Sequence, residues 1–187
     1  EKLNSLFKKF RPDIVFHLAA QPLVRRSYID PTETFTTNIT GTVYLLESIK
    51  DSACNHAVII TSDKCYENKE WIYGYRENDV LKGRDPYSCS KRCQDLIVDS
   101  YRESFLKKLG KQVATARAGN VIGGGDWSED RLIPDCVKAI LDDVPIKIRN
   151  PDSTRPWQQV LEPIYVYLLL REKMFKNERV DEAWNFR

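Results

Sequence analysis

The chain has no apolar run approaching the ~20 residues that a membrane span needs. Its longest candidate, Tyr165-Val166-Tyr167-Leu168-Leu169-Leu170, is ended by Arg171, so a membrane protein is excluded. The charged, helix-like residues 1–11 contain no apolar core followed by small residues, which makes secretion an unfavoured expectation. No Cys-x-x-Cys pair is present. The five cysteines, Cys54, Cys65, Cys89, Cys93 and Cys136, are odd in number and read as reduced thiols of a cytoplasmic protein. His17 and His56 are the only histidines, and neither has the clustered partners of a metal site. An excess of one charge is also missing: 29 basic and 27 acidic residues are interleaved, which leaves no stripe for nucleic acid. There is no internal repeat and no low-complexity tract. Asn38-Ile39-Thr40 matches a glycosylation sequon, but a three-residue match is common by chance and is set aside.

What is present fits one globular domain. A chain of 187 residues, 42% hydrophobic and 30% charged, is long enough to bury on the order of 70% of its unfolded surface. Apolar runs of strand length alternate with longer helical patterns, the signature of a parallel sheet covered by helices. The first strand is expected at residues 13–18. Asp30-Pro31-Thr32-Glu33 then supplies an N-cap, a first-turn proline and a carboxylate, and Phe35, Ile39, Val43, Leu46 and Ile49 form the expected core-facing stripe. The β-branched run at residues 57–61 predicts a second strand, buried on both faces. After a long loop, Asp85-Pro86 repeats the helix start, with Leu96, Ile97, Tyr101 and Phe105 as the expected stripe and Gly110 as the stop. A third strand is expected at 113–116, a glycine-rich loop at 119–125, short helices at 134–141 and 162–175, a weak strand at 146–148 and a last strand at 184–186.

Two segments could carry chemistry. In Tyr87-Ser88-Cys89-Ser90-Lys91 the helical spacing puts a phenol and an ammonium on one face, one turn apart. A neighbouring cation favours the phenolate, so Lys91 is expected to lower the Tyr87 pKa, although a plain helix face would show the same spacing. Thr61-Ser62-Asp63-Lys64 leaves the end of an apolar strand, where α/β proteins collect functional groups, and ordinary turn chemistry would look alike there. The glycine-rich segment is neither Gly-x-Gly-x-x-Gly nor a loop ending Gly-Lys-Ser/Thr, and Arg155-Pro156-Trp157 offers a guanidinium for phosphate beside an indole.

These segments, with His17-Leu18-Ala19-Ala20-Gln21-Pro22, Asn38-Ile39-Thr40-Gly41-Thr42, Arg117-Ala118-Gly119-Asn120-Val121-Ile122-Gly123-Gly124-Gly125-Asp126-Trp127 and Arg155-Pro156-Trp157-Gln158, stand in one order along nearly the whole chain. In that order the sequence resembles the extended short-chain dehydrogenase/reductases, and within them the CDP-glucose 4,6-dehydratases. The resemblance implies an α/β fold: a partial Rossmann-like parallel sheet flanked by helices over residues 1–144, and part of a small C-terminal substrate-binding lobe over 145–187. It implies an NAD-dependent lyase that oxidises the sugar at C4, eliminates water across C5 and C6 and reduces C6. Tyr87 would take the 4-hydroxyl proton, and Lys91 would hold the nicotinamide ribose. Ser62 would orient the 4-oxygen, Asp63 would protonate the leaving hydroxyl, and Lys64 would act at C5, provided its surroundings lower its pKa. Leu18, Ala19 and Ala20 would line the NAD, Asn120 would meet the nucleotide sugar and Arg155 its phosphates. Gln159 stands where the resemblance leads one to expect histidine.

The glycine-rich turn that holds NAD pyrophosphate in this family has no counterpart before Phe10. The chain therefore reads as the middle half of such an enzyme, expected to bind NAD weakly and turn over little by itself. Two other readings remain: a nucleotide-sugar epimerase, which would keep Tyr87 and Lys91 without needing Asp63 and Lys64, and a noncatalytic binding relic. The expected partners are a nucleotide sugar and a second copy packed through the helices at 30–50 and 86–109.

Overall fold

The computed structural model describes residues 2–186. Four strands, β1 (Ile14–His17), β2 (His56–Ile60), β3 (Gln112–Ala118) and β6 (Ala183–Phe186), form one parallel sheet in the order β1-β2-β3-β6. Their registers pair Val15 with Ala57, Val58 with Ala114 and Ala116 with Trp184. Side chains alternate across the sheet. Ala57, Ile59 and Val113 point into a core with Leu46, Ile49, Val98 and Leu106, under the helices α1 (Lys2–Phe10), α4 (Gly41–Lys50) and α5 (Pro86–Tyr101). Val58, Ala114 and Ala116 point the other way, onto Tyr167, Leu170 and Met174 of α7 (Leu161–Phe175). Each large side chain taken out of water this way contributes roughly 1.5–3 kcal/mol, so the continuous apolar strands are explained by a sheet covered on both faces.

The helix starts follow the sequence signals. Asp30 accepts from the Glu33 amide at 2.8 Å at the head of α3 (Pro31–Phe35), and Asp85 accepts from the Ser88 amide at 3.0 Å at the head of α5. Gly110 ends the long helical segment with φ 70°, a left-handed conformation that only glycine adopts without strain.

Both expected apolar stripes are corrected in part, for Leu46 and Ile49 are buried in the core and Ile97 and Tyr101 pack against it. A π turn, Thr36–Thr40, joins α3 to α4 and adds a residue to one turn, so Thr34, Asn38 and Thr42 face inward while Phe35, Ile39 and Val43 are only half-buried. On α5 the inward face is Tyr87, Lys91, Gln94, Asp95 and Val98, whereas Leu96 and Phe105 are exposed. The amphipathic rule fails over α3, the π turn and the first turns of α5 because these segments turn polar groups inward, ahead of the apolar core under the later turns. Asn38 is fully buried and donates to the Ser90 hydroxyl at 2.8 Å, so the sequon is closed to modification.

The C-terminal part also differs. No strand forms at 146–148; instead β5 (Trp157–Gln159) pairs in parallel with β4 (Asn120–Ile122), which occupies part of the expected glycine-rich loop. A Cβ at Gly119 would lie 2.5 Å from Pro156 Cγ, so this close approach needs glycine. The lobe expected from residue 145 is divided, because α7 and β6 return to the four-stranded sheet while the chain up to and including β5 stays outside it. The helix α6 (Leu132–Leu141) precedes that stretch. No helix among the described residues is long and apolar enough to cross a membrane.

Candidate functional site

Where β2 ends, Thr61 still donates its amide to Ala116 at 2.8 Å, and the chain then turns through a short 3-10 segment, Asp63–Cys65. Ser62 shapes that turn: its hydroxyl accepts from the Lys64 amide at 3.2 Å and lies 3.2 Å from Asp63 Oδ1. Facing it, the first two turns of α5 present Tyr87 and Lys91. Both sets open into one cleft of about 910 Å³ at the C-terminal edge of the sheet, whose far wall comes from β4, α6 and residues 147–157. Parallel α/β sheets collect ligands at this edge.

The structure brings together most of the residues singled out in the sequence. Leu18, Ala20, Ser62, Asp63, Lys64, Tyr87, Lys91, Asn120 and Arg155 all line the cleft. Ala19 does not; it is exposed, between two neighbours that do. Arg155, also exposed, borders a smaller adjoining cavity of about 420 Å³ together with Asp63 and Lys64. Gln159 stays out of the cleft lining, and its side chain accepts from the Leu161 amide at 2.6 Å at the start of α7.

Burial sets the electrostatics. It holds the Asp63 carboxyl above the ordinary carboxylate range, against the pull of Lys64, Ser62 and Arg155. The expected lowering of Tyr87 by Lys91 is overturned: burial pushes the phenol up to about 12, and the groups opposing this are the Ser62 hydrogen bond and the charge of Arg131. Lys91 is itself lowered to about 8 by burial, with Asp95 acting to raise it. Its ammonium donates to the Ile60 carbonyl at 3.1 Å rather than serving the phenol.

Sequence reasoning missed two parts of this site. Arg25, Arg131, Lys147 and Arg149 also line the cleft, but in a charge-balanced sequence nothing marks them out. The other omission is a buried pair, Asp95 and Arg117, with Nε–Oδ1 at 3.1 Å. Asp95 repeats the Tyr87–Lys91 spacing once more, a signal that was there to read.

A cavity with a buried ammonium, a phenol, a serine and a carboxyl on one side and basic side chains on the other can hold a polyol phosphate and move protons at it. Comparison with known proteins agrees with that chemistry. The CDP-glucose 4,6-dehydratase of Salmonella typhimurium is 50% identical over 100% of this chain and 54% of its own length. A dTDP-D-glucose 4,6-dehydratase of Dictyostelium discoideum is 32% identical over 75% of this chain and 34% of its own. The chain thus spans about half the length, or less, of these relatives. In fold it matches a UDP-glucose 4-epimerase of Thermotoga maritima solved with UDP-glucose (TM-score 0.87, 22% identity, 99% of this chain and 58% of that one). It also matches a dTDP-glucose 4,6-dehydratase of Streptomyces venezuelae solved with NAD (TM-score 0.84, 24% identity, 98% and 54%). The profile of the family described as GDP-mannose 4,6 dehydratase matches residues 1–182, and the chain belongs to that family.

Proposed function

We propose that the protein containing this chain is a nucleotide-sugar 4,6-dehydratase that converts CDP-glucose to CDP-4-keto-6-deoxyglucose and water. The observation that carries this reading is the meeting, in one cleft, of Tyr87 and Lys91 with Ser62, Asp63 and Lys64. The 50% identity to a CDP-glucose enzyme supports the choice of substrate. An epimerase would have no use for the Asp63–Lys64 pair.

The cleft fits a nicotinamide cofactor. Leu18, Ala20 and Ile60 give an apolar wall beside Lys91, whose ammonium has one hydrogen bond among the described residues and two N–H groups left for a ribose diol. When bound, NAD would supply the transient oxidation at C4 and the matching reduction at C6. The chain's own residues then have proton work to do. A phenol at about 12 gives up its proton rarely at neutral pH, so Tyr87 acts on the 4-hydroxyl only with positive charge nearby, and Arg131 is the source the chain itself provides. With C4 as a ketone, the C5 proton is acidified and passes to the neutral amine of Lys64, which returns it to C5 as C6 is reduced. The hydroxyl leaves C6 with the proton from Asp63, as water. Burial suits Asp63 to this task by keeping its proton bound at higher pH than an ordinary carboxyl.

The same reading divides the cleft between a sheet side and a substrate-binding wall made by β4, β5, α6 and residues 142–156. It places a second copy against the outer faces of α3–α4 and α5, where Tyr44, Leu96 and Phe105 are exposed and Phe35, Ile39, Val43 and Ile97 half-buried. It also places the protein in the reducing cytoplasm, in keeping with five free thiols. Light scattering of the full-length protein tests the dimer.

The functional test incubates full-length protein and NAD with CDP-, dTDP-, GDP- and UDP-hexoses and weighs the products. Loss of one water from CDP-glucose is expected, and Lys64→Ala should remove it. No water loss from any of them, or a mass-neutral change of configuration, would overturn the reading; Lys64→Ala at full rate would remove that residue's role.

A further inference from the structure

We propose that the buried Asp95–Arg117 ion pair is a positioning device that fixes the turn carrying Ser62, Asp63 and Lys64 against the helix face carrying Tyr87 and Lys91. The roles of the two arms rest on the dehydratase reading. The grip between them is geometry.

Asp95 lies one helical turn beyond Lys91 and two beyond Tyr87, and the three are 4%, 4% and 8% exposed. Arg117, 5% exposed near the end of β3, binds Asp95 through Nε at 3.1 Å. Its Nη1 donates to the Tyr66 hydroxyl at 2.6 Å and to the Glu77 carbonyl at 2.9 Å, and its guanidinium sits 5.1 Å from the centre of the Tyr66 ring. Tyr66 passes the contact on to Asn185 of β6 at 2.8 Å. Tyr66, two residues after Lys64, is therefore held directly by the arginine of the ion pair, and Cys65 between them is fully buried. Such a pair brings little net stability over apolar residues of the same size. What its fixed fork of donors supplies is direction.

The test uses full-length protein. Asp95→Asn should lower kcat for water loss about tenfold with KM changed less than about twofold, and Asp95→Glu should recover most of it. Independently of turnover, hydrogen exchange of the Cys65 and Tyr66 amides, which bond the Ser62 and Asp63 carbonyls at 3.2 Å, should speed up about tenfold in Asp95→Asn while circular dichroism stays unchanged. Where Asp95→Asn does not fold, Tyr66→Phe removes only a hydroxyl that Arg117 holds, and should cost about threefold in kcat at an unaltered unfolding midpoint. An unchanged kcat in the folded variant, a fall no greater than the loss of folded protein, or Cys65 and Tyr66 amides as protected as in the parent would overturn the proposal. If the unmodified protein releases water from no sugar nucleotide, the functional reading fails, and hydrogen exchange of the Cys65 and Tyr66 amides alone judges the grip on the turn.

Discussion

The two walls of the cleft are built differently. On the sheet side, Ser62, Tyr87, Lys91, Asp95 and Arg117 are all less than 9% exposed and are tied to the backbone or to one another. On the far side residues 141–157 are exposed throughout, and Pro134 is the one buried residue of α6. That wall is held by surface ion pairs, Arg149–Asp130 at 2.5 Å, Arg131–Asp126 at 2.6 Å and Arg25–Asp130 at 3.3 Å. Proton transfer demands placement within fractions of an ångström, which buried polar networks provide at a cost in stability. Holding a substrate's phosphates demands charge and reach, which exposed arginines provide cheaply. The site thus has a costly, fixed half and an inexpensive, adjustable one.

The sharpest way to break this contrast is to remove the cost. Lys91 is lowered from 10.5 to about 8 because burial disfavours its charge. Its native form therefore binds protons less readily than the unfolded chain, and stability should rise with pH between those values. Replacing it by methionine should stabilise the fold by up to about 3 kcal/mol below pH 8, with the gain fading toward pH 10.5, and should abolish water loss in the full-length protein. Urea unfolding at a series of pH values, set beside turnover, checks both halves of the expectation.

His17 tests the same wall from the acid side. Burial, then Lys91, lower it from 6.5 to about 4, and its Nε2 lies 3.2 Å from the Thr42 hydroxyl. The unfolded chain binds the proton first as pH falls, so this contribution is complete above about 6.5 and is lost on the way to 4. Relative to His17→Gln, the parent should lose up to about 3 kcal/mol across that window. Parallel urea curves for the two proteins would remove His17 from the argument.

How much of this was legible depended on which forces decided each element. The strands could be read because Val58, Ile59 and Ala114 are buried on both faces and need apolar side chains whatever surrounds them. The helix starts could be read because Asp30 and Asp85 act through bonds three residues away. The buried faces were legible only in part: Leu46 and Ile49 are buried, but the π turn at Thr36–Thr40 disturbs the segment before them, and the first turns of α5 bury polar residues that no apolar stripe marks. The site residues marked by ordered motifs line one cleft, Ala19 excepted. Their electrostatics could not be read, because the spacing of Tyr87 and Lys91 says nothing of how deeply each is buried.

A smaller effect marks the fixed half away from the cleft. Lys111 is 6% exposed and donates to the carbonyls of Ile49 and Ser52, each at 2.6 Å, and of Cys54 at 3.1 Å, satisfying the end of α4. Lys111→Met should cost about 1–3 kcal/mol in unfolding free energy by leaving buried carbonyls unpaired.

The far wall should behave otherwise. Arg149 is 42% exposed and bridges Asp130 and Asp135 at 2.5 and 3.4 Å, the first contact shorter than the 3.1 Å between Asp95 and Arg117. Distance alone would rank Arg149 with Arg117. Exposure reverses that ranking, because water and salt screen the exposed charges, and Arg149→Ala should cost less than about 1 kcal/mol, falling toward zero in high salt. Its effect should appear instead in the KM for the nucleotide sugar in the full-length protein, rising severalfold with kcat held. A stability loss as large as that of Lys111→Met would show that the two walls share one kind of construction, and the contrast between them would have to be abandoned.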